Sequence, residues 1–202
     1  MSKFRNRRDG SNESTNDGQE RYGFSMKHIA LVLLLLLTSC STTTENATSI
    51  ESFAPCNSIR YTGMKADGTF VECLENTGER ALEGIEGPAV ISAWASWCSN
   101  CEAQRENFIR LYKEAGDQLQ VIGLDRDESS KSDGYNHALK KGMAYPQLYD
   151  PNGRSIDLFG PGVPITRFID SSGKLAFLKV GGIYSYDEMR TLVKEHLGID
   201  IP

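Results

Sequence analysis

No stretch of the 202 residues is apolar for long enough to cross a bilayer: the longest hydrophobic run, residues 29–37, has nine residues where about 20 are needed. Basic charge is also scarce, with 22 Lys and Arg against 27 Asp and Glu and a net charge of −5. An acidic surface repels a phosphate backbone, which excludes nucleic-acid binding as a first reading. The composition lacks the charge excess of a disordered chain, because 39% of residues are hydrophobic and 24% charged. These are globular values, and the length suits one domain with appendages. Cysteine is sparse at five residues, and the odd count requires that in an exported protein one be used differently from the rest.

The run IALVLLLLL follows Lys27 and His28 and precedes Thr38, Ser39 and Cys40. A positive residue, a short apolar run and small residues read as a secretory signal segment over 1–39. Met26 opens a complete short signal by itself and is expected to be the true start. Leu37-Thr38-Ser39-Cys40 resembles the bacterial lipobox, in which the cysteine is diacylated and becomes the new N-terminus. Cys40 would then hold the protein to a membrane, since more than one acyl chain gives stable anchoring. Residues 40–51, rich in Ser and Thr, read as a polar tether, with the folded domain at 52–202.

Past residue 69, short apolar runs alternate with helical patterns. Strands are expected at 70–74, as a sheet edge, and at 89–95, 119–125 and 147–149, with a hairpin of 165–170 and 175–180. Helices are expected at 98–115, at 129–141 with Ser129 or Ser130 as cap, and at 186–197. That order predicts an α/β fold, a mixed central sheet with helices on both faces.

Where the strand 89–95 meets the helix, the sequence reads Trp94-Ala95-Ser96-Trp97-Cys98-Ser99-Asn100-Cys101. Cysteines two residues apart can close a small disulfide at a helix start, where unpaired N–H groups and the helix dipole stabilise a thiolate. The thiolate is the attacking species in disulfide exchange. Cys98, expected to be exposed, is therefore the nucleophile and Cys101 the resolving thiol, with Trp97 packing over the sulfurs.

Four stretches, WASWCSNC at 94–101, YPQLYDPNGR at 145–154, GVPITRFID at 162–170 and Gly181-Gly182, together resemble the thioredoxin fold. Within it they resemble the membrane-anchored thiol-disulfide oxidoreductases of the TlpA, ResA and DsbE type, with that group's N-terminal extension. The resemblance covers residues 70–198. It implies a cis Val163–Pro164 bond facing the Cys98 sulfur, with the Val163 backbone free to pair with an extended substrate segment. It further implies exported proteins with disulfides or dithiols as substrates, a membrane thiol-disulfide electron carrier as partner, an extracytoplasmic site, and for some members cytochrome c maturation. No dissociable cofactor and no metal are implied.

The chain departs from the pattern at two positions. Thioredoxins carry a buried Asp where this chain has Ser92, and many ResA-like proteins carry a Glu where it has Gln104. Both usual places for a proton-transferring carboxylate are neutral, and Glu102 and Glu106 read as solvated surface charges. The sequence leaves the route of the Cys101 proton open, and a buried water held by Ser92 or Gln104 is one hypothesis for it.

Cys56 and Cys73 remain, and in an exported domain they are expected to form a structural disulfide. A second redox pair, or exchange with Cys98, is the alternative. A copper-binding chaperone competes as a non-enzymatic reading, but no His follows Cys101 and His137 and His196 read as surface residues of helices. A peroxiredoxin-like peroxidase shares the fold, yet residues 90–98 lack the proline its cysteine motif uses.

Overall fold

A computed structural model of the protein describes residues 49–63 and 67–202. Met26, the signal segment 1–39, Cys40 and most of the tether lie outside the described residues. Among those described, no helix is long and apolar enough to cross a membrane. Ile50 already donates its N–H to Leu139 O at 3.0 Å, so tertiary bonding starts ahead of the expected boundary at residue 52.

The elements run β1 (Phe70–Cys73), β2 (Glu79–Ala81), β3 (Ala89–Trp94), α1 (Ser99–Ala115), β4 (Gln120–Arg126), α2 (Lys131–Lys140), β5 (Gln147–Asp150), α3 (Ile156–Phe159), β6 (Ile165–Ile169), β7 (Leu175–Val180) and α4 (Tyr186–Leu197). They build one seven-stranded sheet in the order β2-β1-β5-β4-β3-β6-β7. The central β3, β4 and β5 are parallel, and β1, β6 and β7 join antiparallel. This is the thioredoxin-type mixed sheet expected from the sequence.

One expectation is corrected: β1 is not the edge. It pairs on one side with β2 and on the other with β5. The edge strand Glu-Arg-Ala is too short and polar to announce itself by periodicity, and it exists because a tight hairpin, closed by Cys73 N–H to Gly78 O, returns the chain alongside β1. The helix α3 was likewise not anticipated, since four residues carry no periodic signal.

All residues of β3 and β4 are buried, and the two-residue period of a strand sorts them between two faces. Val90, Trp94 and Val121 pack with Phe108 and Leu111 of α1, Ala138 of α2, and Met189 and Val193 of α4. Ala89, Ile91, Ala93, Ile122 and Leu124 face the opposite way, against Phe159 of α3 and against Ile59, Leu82 and Ile85. Helices therefore cover both faces, with α1, α2 and α4 on the first and the short α3 on the second. Ser130 caps α2, accepting from Asp133 N–H at 3.3 Å, and Ser185 caps α4, accepting from Glu188 N–H at 3.1 Å.

Candidate active site

The fully buried β3 delivers the chain to the carboxyl end of the sheet, and Ala95 to Trp97 turn it into α1. Cys98 is the N-cap of that helix, with an extended backbone, and its Sγ accepts the Cys101 N–H at 3.1 Å. The sulfur thus occupies the position where helix-start N–H groups favour negative charge. Cys98 and Cys101 are joined as a disulfide. Each is only 6% exposed, so Cys98 is more enclosed than expected, because capping the helix draws its sulfur back over the first turn.

Trp97 is 62% exposed. Its Nε1–H donates to Asp127 O at 2.9 Å, which turns the indole toward the loop after β4. The same loop holds the active-site turn a second time: Ser96 Oγ–H donates to Glu128 Oε2 at 2.9 Å, and the Ser96 N–H donates to Glu128 Oε1. Sequence reasoning did not single out this Asp127–Glu128 clamp, which lies on a distant segment with no motif to mark it.

The antiparallel pairing of Ala93 with Ile165 brings residues 163–164 to the same end of the sheet. The Val163–Pro164 bond is cis, and Pro164 O accepts from Gly181 N–H at 3.0 Å. Val163 is half-buried. Cys56 and Cys73 are bonded to each other, 17 residues apart in sequence, and both are buried in the apolar cluster on the α3 face. That places them away from Cys98 and Cys101, which belong to the other face. Glu75 adds a third potential ligand atom beside Cys56 and Cys73, but those two sulfurs are spent on each other.

Beneath Cys101 lies a cavity of about 10 Å³, lined by Ser92, Trp94, Cys101, Glu102, Gln104 and His137 among others. Ser92 and Gln104 do meet: Gln104 Nε2–H donates to Ser92 Oγ at 3.2 Å, and Gln104 Oε1 accepts from Ile183 N–H at 3.0 Å. Two of the residues around it differ from expectation. Glu102 is not a free surface charge, since it meets Lys141 at 2.6 Å, Arg105 at 3.2 Å and His137 at 3.7 Å. Partial burial opposes its ionisation, but the Lys141 and Arg105 contacts outweigh that and hold its carboxyl below the usual range. Glu106, by contrast, is an exposed partner of Arg105. His137 is not a surface histidine either. It stacks on Trp94 with ring centroids 5.6 Å apart, and burial pushes its pKa down, against the pull of Glu102 and Glu128.

On the same face Asp125 is completely buried, and among the described residues neither carboxyl oxygen meets a hydrogen-bond partner in good geometry. Burial, reinforced by the charge of Glu128, pushes its pKa up to about 9, so it is protonated at neutral pH. Gly134 of α2 lies directly over it, so close that a Cβ there would collide with Asp125 Oδ2.

The profile of the AhpC/TSA family matches residues 67–178. The thiol:disulfide interchange protein DsbE of Yersinia pestis is 29% identical over 136 residues, covering 63% of this chain and 70% of that protein. The thiol-disulfide oxidoreductase ResA of Oceanobacillus iheyensis is 30% identical over 111 residues, covering 50% of this chain and 54% of that protein. This chain therefore spans between about half and 70% of the length of these two relatives. Among solved structures, the exposed lipoprotein thioredoxin of Streptococcus pneumoniae superposes with a TM-score of 0.52 at 30% identity, over 62% of this chain and 97% of that one.

Proposed function

Because this chain belongs to the AhpC/TSA family and is a thioredoxin-fold thiol-disulfide oxidoreductase of the DsbE and ResA type, we propose that it exchanges disulfides with exported proteins on the extracytoplasmic face of a membrane. The observation that carries this reading is Cys98 Sγ at the N-cap of α1, bonded to Cys101, beside an exposed Trp97. In the reductive direction the Cys98 thiolate attacks a substrate disulfide and releases one substrate thiolate. Cys101 then displaces the second, which leaves the substrate as a dithiol and the enzyme as the Cys98–Cys101 disulfide. The reverse sequence oxidises a substrate dithiol. Trp97, with Val163 and Pro164 at the same end of the sheet, forms the surface on which an extended substrate segment lies.

Anchoring through a diacylated Cys40 is supported by the lipobox-like Leu37 to Cys40 and by similarity to a solved lipoprotein thioredoxin. A membrane thiol-disulfide carrier recharges the pair, and apocytochromes c are one substrate class that fits the reductive direction. The reduction potential of the pair in the full-length, detergent-solubilised protein tests the direction. A value near about −270 mV marks an electron donor and one near about −120 mV an oxidant. Retention of disulfide-reducing activity in Cys98→Ser refutes the assignment of the nucleophile. A stoichiometric Cu(I) site without such activity supports the copper-chaperone reading instead.

A further inference from the structure

We propose that His137 is the base that accepts the Cys101 proton, across the cavity beneath that thiol, when the mixed disulfide resolves. The inference rests on the assignment of Cys98 as nucleophile and Cys101 as resolving thiol. The cavity joins Cys101 of α1 to His137 of α2, and at about 10 Å³ it has room for about one water molecule. Such a water has polar neighbours in the Ser92 hydroxyl, itself held by Gln104.

The other lining groups are poor acceptors. Gln104 is an amide with both ends already engaged. Arg105 has no lone pair to offer, and burial keeps Tyr145 protonated. Glu102 is committed to Lys141 and Arg105, which hold it as a weak base. His137 is neutral at neutral pH because its site disfavours the charged form. The charged groups around it come from three directions: Glu102 and Arg105 from α1, Lys141 from the residue after α2, and Glu128 from the loop after β4. Once the imidazolium forms, Glu102 Oε2 stands 3.7 Å from Nε2 to stabilise it. Stacking on Trp94 fixes the ring, and Trp94 is held in turn by its Nε1–H bond to Gln147 at 3.1 Å. A nucleophilic thiol, a base and a carboxylate behind the base form the arrangement that activates a nucleophile.

In the step itself, the Cys101 S–H bond breaks and its proton passes to His137. The Cys101 thiolate forms the bond to Cys98 Sγ, the Cys98–substrate S–S bond breaks, and the departing substrate thiolate takes a proton, which the imidazolium can return. The two electrons that reduce the substrate disulfide come from the two enzyme thiols.

The test uses the full-length reduced protein, rapidly mixed with a chromogenic aromatic disulfide that releases one coloured thiolate when Cys98 attacks and a second when Cys101 resolves. His137→Gln is expected to leave the first release unchanged and to slow the second about tenfold or more at pH 7. The deficit narrows as pH rises, because hydroxide can take the Cys101 proton when the imidazole is absent. In the wild-type protein the second release should lose rate on acidification with an apparent pKa below that of free imidazole. Glu102→Gln should move that limb to still lower pH. This measurement does not depend on the folding of the His137 variant. A second release in His137→Gln that equals wild type at every pH, or is slowed equally at every pH, overturns the proposal. A first release that persists in Cys98→Ser overturns the assignment of Cys98 itself.

Discussion

Replacing Asp125 by asparagine should change how stability depends on pH more than it changes the structure. Asp125 is buried close to the acidic Glu128, Asp127 and Asp133, and keeps its proton up to about pH 9. In the unfolded chain an aspartate ionises near about pH 3.9. Between those values the folded state binds one proton more than the unfolded state, so unfolding releases it. Stability must then fall as pH rises, by about 1.4 kcal/mol per unit for this one group. The amide of the Asp125→Asn variant has the shape and polarity of the neutral acid but does not titrate. From pH 6 to pH 8 the wild-type protein should therefore lose about 2.7 kcal/mol relative to Asp125→Asn, and near pH 4 the two should converge. His137, whose pKa is lowered in the folded state, contributes in the opposite sense around its own titration, as does Glu102 at lower pH. Both are present in each protein and cancel in the difference. Urea unfolding of the oxidised proteins, followed by circular dichroism at pH 4, 6, 7 and 8, reads the result. Parallel stability curves for the two proteins would refute the burial argument.

Further outcomes follow from the packing. Replacing both Cys56 and Cys73 by Ala removes a cross-link spanning 17 residues, and should cost about 3 kcal/mol of stability by loop entropy. The Cys98–Cys101 potential should stay unchanged, since the two pairs lie on opposite faces of the sheet. Gly134→Ala drives a methyl group into the Asp125 carboxyl, so thermal unfolding should show a loss of about 1–3 kcal/mol despite the better helix propensity of alanine. Trp97→Ala removes an exposed ring, and should leave stability within about 0.5 kcal/mol of wild type. It should raise KM for a protein disulfide about tenfold in steady-state assays. Equal effects on a small aromatic disulfide would show that Trp97 acts on the cysteines and not on the partner.

The amino-acid pattern alone determined the order of the main elements, because buried strands such as Ala89–Trp94 and amphipathic helices such as Tyr186–Leu197 each carry their own period. It also placed Cys98 and Cys101 at a strand-to-helix junction, since the spacing and the helix start are both local. Only the tertiary structure decided what stands behind those cysteines. The sheet order sets β4 beside β3 and brings α2 over the same face, so His137 reaches the Cys101 cavity and Glu128 reaches Ser96. As a lone histidine in a helix, His137 reads as a surface residue, and Glu102 as a solvated charge, until the neighbouring elements are in place. Asp125, the last residue of the strand expected at 119–125, is covered because Gly134 allows α2 to close directly over it. A hydrophobic period records which side of an element faces inward, whereas the identity of the element it meets there depends on crossovers between distant segments that no local pattern encodes.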